Sequence, residues 1–193
     1  TSILALQSNL LLLFLAASGI ASSRIVIYLA LPLVVDVIMR LPMAYLADHV
    51  GKKRVSLVGQ SVAILGYVLL AAAPCVQKPW HELFLVLGFC LFGAGHGTFA
   101  SSWFALLSPV VPQSQRGSFF GRVQYSSQSV GIVVAGVCAT WLGKDSPVWQ
   151  YQLILGLIAL GMTLRIVTYS GIPELETPDG NEKGFRESMK GIL

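Results

Sequence analysis

Three ionisable side chains interrupt the long apolar runs of this sequence, and they are the residues whose types could support chemistry. Asp36 and Arg40 stand four residues apart in one run, and His96 stands in another, within Gly93-Ala94-Gly95-His96-Gly97. Residues four apart share a helix face, and the acid-first order favours an ion pair. A histidine changes charge between about pH 5 and 8, which suits proton exchange. The pattern predicts a site that binds a solute or exchanges a proton.

Each of these residues also has a structural interpretation. Asp36 and Arg40 would neutralise each other and fix one helix against its neighbour. His96 would stay neutral and hydrogen-bond across to another helix. Ionisable groups inside a membrane are costly, so they are usually either functional or paired. Both interpretations remain open from the sequence.

The composition is that of a membrane protein. Hydrophobic residues make up 54% of the 193 residues and charged residues only 11%, whereas a soluble domain carries about 25% charged residues. A membrane-spanning helix needs about 20 mostly apolar residues. Six apolar runs reach or approach that length, at residues 3–20, 25–47, 55–73, 83–107, 119–142 and 151–169. We therefore predict an all-α, polytopic membrane protein whose residues 1–172 form six transmembrane helices.

Most basic residues lie in the gaps between these runs or near the ends of the runs, and their number alternates from one gap to the next. Gaps one, three and five hold three cations, Arg24, Lys78 and Lys144. The other gaps, with the end of the sixth run and the tail, hold nine, namely Lys52, Lys53, Arg54, Arg116, Arg122, Arg165, Lys183, Arg186 and Lys190. Cytoplasmic loops carry the excess of Lys and Arg, so both ends are expected in the cytoplasm. The net charge is +4, but the basic residues form no nucleic-acid-binding motif. No nucleic-acid partner is therefore expected.

The gap between the second and third runs reads Ala44-Tyr45-Leu46-Ala47-Asp48-His49-Val50-Gly51-Lys52-Lys53-Arg54. Gly51 permits a tight reversal with positive φ. Its three consecutive cations suit the anionic cytoplasmic face of a bilayer. Taken alone, the segment could be an ordinary positively charged cytoplasmic loop.

This loop resembles the one between helices two and three of major facilitator superfamily transporters, which reads Gly-x-Leu-Ala-Asp-Arg-x-Gly-Arg/Lys-Arg/Lys. Ala44 and His49 replace the first glycine and the first arginine, and the other positions match, namely Leu46, Ala47, Asp48, Gly51, Lys52 and Lys53. The fourth gap is similar to the family as well, with a proline followed by Arg116-Gly117 and then Gly121-Arg122.

The resemblance implies one six-helix half, the amino-terminal one, built as a three-plus-three inverted repeat. It also implies secondary active transport of a small solute by alternating access, as symport or antiport, with proton coupling as one option. Asp48, Gly51, Lys52, Lys53 and Arg54 would then form the cytoplasmic gating motif. The fifth run lacks the Gly-Pro motif of many proton-coupled drug antiporters, which points away from that branch.

In the resembled fold, helices one, two, four and five line the central cavity. The candidate lining residues are Gln7, Asn9, Asp36, Arg40, His96, Trp103, Gln124 and Gln128. Each amide has the alternative of an interhelical hydrogen bond, and Trp103 that of packing. No catalytic residue, cofactor or metal ion is expected, since Cys75, Cys90 and Cys138 have no neighbours at metal-ligand spacing.

The expected partners are the lipid bilayer, a small-molecule substrate and a second six-helix half, in the same polypeptide or in another copy. The expected location is the bacterial plasma membrane. Residues 173–193 would be a cytoplasmic linker, either disordered or with a short amphipathic helix carrying Phe185, Met189 and Leu193. Because Thr1 already lies in an apolar run, we expect the natural amino terminus to lie upstream.

Two other functions compete with transport by a fused pair of halves. A half-size protein would complete its cavity by forming a homodimer, and the resemblance does not decide this point. A membrane-embedded protease would need either a Gly-x-Ser-Gly nucleophile turn or two membrane aspartates. The sequence contains no Gly-x-Ser-Gly and one clear membrane aspartate, Asp36, so we expect no enzymatic activity.

Overall fold

In the computed structural model, the described residues are 2–77, 80–143 and 146–171, with side chains from residue 9 onward, and all their regular structure is helical. Six α-helices follow one another along the chain: α1 (Ser2–Ala17), α2 (Ser22–Val50), α3 (Lys52–Ala72), α4 (Trp80–Leu107), α5 (Arg116–Trp141) and α6 (Val148–Ser170). Two short 3₁₀ turns lie between them, at Ala73–Cys75 and Gln113–Gln115. The all-α prediction is confirmed. The linker predicted for residues 173–193 lies outside the described residues.

Most helices are longer than the apolar runs that predicted them. α2 has 29 residues, which at 1.5 Å per residue is about 43 Å, close to the full thickness of a bilayer with its headgroups. The polar ends of the helix can therefore reach the headgroup region while its apolar middle stays in hydrocarbon. The first helix is the exception, because it ends at Ala17, and Gly19 turns the chain with a φ of 75°.

Four helical segments among the described residues are long and apolar enough to cross a membrane, namely Ser22–Val50, Lys52–Cys75, Trp80–Leu107 and Val148–Ser170. α1 is short, with 16 residues. The first half of α5 is polar and includes Arg122, Gln124 and Gln128. The membrane character of the chain is thus confirmed, and the count of six spans stays a prediction.

α4 is the centre of the packing. It lies against α3 and α2, α6 packs on α3, and α1 contacts α2, α5 and α6. The core between these helices contains fully buried side chains from four of them, including Phe14, Tyr67, Phe89 and Leu155. α5 buries none of its residues. Large apolar side chains such as Val167, 65% exposed, cover the outer surface, as expected for helices surrounded by lipid.

Glycines allow α3 and α4 to approach closely in antiparallel orientation. A Cβ atom added at Gly66 in α3 would lie 2.6 Å from the backbone nitrogen of Phe92 in α4. One added at Gly95 in α4 would overlap the backbone of Gly59 and Ala63 in α3. Small residues at helix contacts are the usual means of tight association within membranes. This contact fixes α4, and therefore His96, relative to the rest of the bundle.

Candidate functional site

The helices α2 and α4 run parallel and in register along a contact that we call the α2–α4 seam. At the amino-terminal end of both helices, Arg24 Nη1 lies 2.7 Å from Glu82 Oε1. One turn further in, the Tyr28 and Phe89 rings stack with their centroids 6.2 Å apart and their planes 9° from parallel. These contacts bring residues near position 36 of α2 level with residues near position 96 of α4.

Two glycines of α4 make this seam close. A Cβ atom added at Gly93 would lie 2.5 Å from the Pro32 carbonyl oxygen, and one added at Gly97 would lie 2.5 Å from the Asp36 carbonyl oxygen. Any larger side chain would therefore push α2 away from α4. This is why an ionisable group on one helix can hydrogen-bond directly to a group on the other.

Asp36, Arg40 and His96 meet at the seam, and we call them the Asp36 triad. Asp36 Oδ2 accepts hydrogen bonds from Arg40 Nη2 at 2.7 Å and from Arg40 Nε at 3.0 Å. Asp36 Oδ1 lies 2.9 Å from Nδ1 of His96. The Asp36 side chain is 10% exposed, against 50% for Arg40 and 31% for His96. The sequence predicted the ion pair, but it did not predict that His96 joins it.

The contact with Asp36 sets the tautomer of His96 when Asp36 is ionised. An ionised carboxylate only accepts hydrogen bonds, so Nδ1 of His96 carries a hydrogen and donates it to Asp36. The proton-accepting atom of a neutral His96 is then Nε2. With His96 neutral, the charges of Asp36 and Arg40 cancel, which explains how both are tolerated within apolar helices. The arrangement can exchange a proton and bind a polar solute.

The cytoplasmic gating motif predicted from the sequence forms the connection between α2 and α3. Gly51 alone separates the two helices, with a φ of 115°, and this positive value confirms the reversal predicted there. Asp48 is exposed and makes no ion pair with any described residue, whereas Lys52 and Lys53 are half-buried and Arg54 is exposed. The Asp48 carboxylate is therefore open to a partner on the same side of the membrane.

The second predicted cytoplasmic loop precedes α5. Nε of Arg116 donates a hydrogen bond to the Val111 carbonyl oxygen at 3.1 Å, which ties the start of α5 to the loop. Gly117 and Gly121 have no atom within 4 Å of an added Cβ, and Arg122 is exposed. These glycines thus face open space rather than a neighbouring helix.

The other candidate lining residues lie away from the Asp36 triad, and none of their described side chains hydrogen-bonds to it. Asn9 and Gln124 are exposed, and Gln128 is half-buried with an unpaired Oε1. The side chain of Gln7 lies outside the described residues. Trp103 packs in an aromatic cluster, with ring centroids 4.3 Å from Phe104 and 6.0 Å from Phe120, which agrees with the packing interpretation.

A buried polar cluster between α3, α4 and α6 was missed by the sequence analysis. The Ser56 and Ser102 hydroxyl oxygens are 2.6 Å apart, and the Tyr169 hydroxyl donates to Ser56 at 3.3 Å. The Arg165 guanidinium lies 3.9 Å from the centre of the Phe99 ring. Ser56 and Ser102 were overlooked because small hydroxyl residues are common in membrane helices and satisfy themselves locally.

Among the residues that the structure describes, no group of three or more His, Cys, Asp or Glu side chains could hold a metal ion. The family model of the Major Facilitator Superfamily matches residues 2–192. No curated protein and no solved structure matches the chain. Members of this family are membrane transporters rather than enzymes. The match covers nearly the whole sequence and agrees with the long apolar helices and the Asp48 loop, and the chain belongs to the major facilitator superfamily.

Proposed function

We propose that this chain is the six-span, amino-terminal half of a secondary active transporter that moves a small solute by alternating access. Its two three-helix repeats would be inverted, and a second half, in the same polypeptide or another copy, would close the central cavity. Both ends of the chain would be cytoplasmic in a bacterial plasma membrane. Residues 173–193 would form the cytoplasmic linker.

The Asp36 triad is the observation that carries this proposal. A charged pair with a histidine inside apolar helices is expensive to maintain and marks a pathway for solutes or protons. Arg40 is half-exposed, and a half-exposed guanidinium in a membrane helix must face water or protein rather than lipid. The side of α2 that carries Arg40 is therefore assigned to the central cavity, and the triad to substrate binding or proton coupling.

The unburied surface of α5 supports the proposal of a second half. None of the described residues of α5 is buried, and α1 is its main neighbour in this chain. Its polar side chains, Gln124, Tyr125 and Gln128, would be poorly placed against lipid. A second half packed beside α5 and α2 would enclose them in the cavity between the halves.

In this proposal, Asp48 stabilises one of the two access states through a contact on the cytoplasmic side. The variant Asp48→Asn should insert and express normally but transport more slowly. An exposed ionic contact is worth up to about 1 kcal/mol, which changes the balance between two states by about fivefold. The solute exchange rate in proteoliposomes, normalised to inserted protein, measures the effect.

Glu82→Gln is the matched control for this experiment, because Glu82 is also an exposed acid but lies at the amino-terminal end of the seam, which the proposal places on the outer side. It should leave the exchange rate within about twofold of the unmodified protein, since its partner Arg24 belongs to the same bundle and the proposal gives this pair no part in the change between access states. An Asp48→Asn protein that transports at the normal rate and expresses normally would remove Asp48 from the gating role.

A further inference from the structure

The Asp36 triad has hydrogen-bond donors that its own members leave unused. Arg40 directs Nε and Nη2 at a single oxygen of Asp36, and a guanidinium has five N–H donors. Nη1 makes no hydrogen bond within the described residues, and half of the side chain is exposed. Asp36, by contrast, is nine-tenths buried and engaged through both oxygens. The accessible charge of the triad is therefore the positive one.

Protonation of His96 makes the triad still more favourable for an anion. Nδ1 is already bonded to Asp36, so an added proton goes to Nε2 and changes that atom from an acceptor into a donor. The net charge of the triad rises at the same time from zero to one positive charge. The protonated form thus has two donors that the triad itself does not use, on Nη1 of Arg40 and on Nε2 of His96, and an uncompensated positive charge.

Beyond the triad, the Arg165 guanidinium of α6 lies over the Phe99 ring, one turn along α4 from His96. Asp36 and Arg40 are the charged groups that face it from α2. From α3, the titratable side chain on this side is Tyr67, whose ring meets Phe92 at 4.9 Å, and Phe92 in turn lies 6.1 Å from His96. The charge change at His96 is therefore felt mainly by the triad and by whatever binds to Arg40.

Apolar side chains flank the open side of Arg40. Val37 lies one turn before it and is 66% exposed, and Leu41, beside it, is 83% exposed. A ligand that reaches the guanidinium would lay the rest of its surface against these side chains, and burial of apolar surface stabilises binding. A small inorganic ion would gain nothing from them. The surface favours a ligand with an anionic end and an apolar body.

We infer that the Asp36 triad binds a small organic carboxylate with an apolar body together with one proton, the carboxylate at Arg40 and the proton on Nε2 of His96. For its role in transport this assignment rests on the proposed function, and it makes the protein a proton–carboxylate symporter. Binding of the two is reciprocal: the proton raises the affinity for the anion, and the anion raises the affinity for the proton. A cation would be repelled by Arg40, and a neutral solute would show no linkage to the proton.

Equilibrium binding to the purified protein tests this inference without requiring transport. The probes are benzoate and cyclohexanecarboxylate, each compared with its neutral amide, and isothermal titration calorimetry at pH 5.5 and 7.5 gives the affinity. We expect both carboxylates to bind at least about tenfold tighter at pH 5.5, because a proton on His96 adds a donor and a positive charge to the site. The amides should bind at least tenfold more weakly than the carboxylates at pH 5.5. Titrations in buffers of different ionisation enthalpy should show uptake of about one proton per anion at pH 7.5.

Three variants assign the effects to residues. His96→Gln should bind carboxylate with the same affinity at both pH values, and Arg40→Gln should lose the preference for carboxylate over amide. Arg40→Lys keeps the charge but not the paired donors, so it should bind more weakly while keeping the pH dependence. Arg24→Gln is the matched control, since Arg24 is also an α2 arginine paired with an acid of α4, and it should leave both properties unchanged.

The inference is overturned if the folded protein binds neither carboxylate at pH 5.5, if the amides bind equally well, or if the affinity does not depend on pH. These results are independent of the transport proposal. If the protein binds carboxylate with proton uptake but never exposes α2 to both sides of the membrane, the binding inference stands and alternating access is refuted. If α2 is exposed to both sides in turn but no carboxylate binds, alternating access stands and the binding inference is refuted.

Discussion

The variant Asp36→Asn should strongly reduce the proton dependence of transport and destabilise the protein. An asparagine has the same shape and can still accept from Arg40 through its oxygen and donate to Nδ1 of His96 through its nitrogen. The hydrogen bonds are retained, and the negative charge is lost. Arg40 is then an uncompensated charge within the membrane, and His96 loses its negatively charged hydrogen-bond partner.

The size of the effect follows from the burial of the pair. Breaking a buried ion pair costs about 3–5 kcal/mol, and the half exposure of Arg40 reduces this cost to about 2 kcal/mol. Unfolding in mixed micelles with increasing dodecyl sulfate measures it. The dependence of transport on the proton gradient should fall by about 5- to 150-fold, the usual range of a coupling free energy.

The double variant Asp36→Asn/Arg40→Gln separates charge from function. It removes both charges, so the free energy of unfolding should recover most of what Asp36→Asn loses, because neighbouring partners are not additive. Transport should stay low in the double variant. Restored transport in this protein would mean that the pair only neutralises itself, which is the structural interpretation of the sequence.

The second large effect is expected from Gly97→Ala. The added Cβ atom would lie 2.5 Å from the Asp36 carbonyl oxygen and 3.0 Å from its Cα atom. Both are backbone atoms of a helix, so α2 as a whole must move away from α4. Overpacking of this kind costs about 1–3 kcal/mol, and the movement would lengthen the hydrogen bond between Asp36 and His96, now 2.9 Å.

Gly156→Ala is the matched control, because Gly156 also lies within a helix and an added Cβ there meets nothing within 4 Å. Alanine should be neutral at that position or stabilise the helix by about 0.5–1 kcal/mol. Comparison of the two unfolding curves in the same micelles therefore isolates the helix contact. If Gly97→Ala were as stable as Gly156→Ala, the close approach of α2 and α4 would be wrong.

Local features of this fold were predictable from the sequence, since they depend on residues near one another in the chain. The Asp36–Arg40 pair follows from helical spacing, and the positive φ of Gly51 follows from a glycine between two long apolar runs. The apolar runs located the helices, although their ends were underestimated because polar helix ends lie outside the hydrocarbon.

Pairings between distant helices were not predictable in the same way. His96 and Asp36 are 60 residues apart. No local pattern predicts that α4 packs against α2 in the register that brings these two side chains into contact. Hydropathy predicts the number of helices but does not predict which helices are neighbours. The cluster of Ser56, Ser102 and Tyr169 escaped prediction for the same reason, since each residue is unremarkable until the three helices are packed.

The most direct test of the alternating-access proposal is the accessibility of position 37 from the two sides of the membrane. Val37 lies on α2 one turn before Arg40 and is 66% exposed. In a protein without Cys75, Cys90 and Cys138, the variant Val37→Cys can be labelled in oriented vesicles with a membrane-impermeant thiol reagent added to either side. Two further cysteines serve as controls: Trp80→Cys at the start of α4, which the proposal places on the outer side, and Leu155→Cys in the buried core.

Alternating access predicts that Val37→Cys reacts with the reagent from both sides. Trp80→Cys should react from the outer side alone, and Leu155→Cys from neither, since Trp80 is 58% exposed and Leu155 is fully buried. Reaction of Val37→Cys from a single side, or from neither, would contradict the assignment of this face of α2 to a cavity that opens in turn to each side of the membrane.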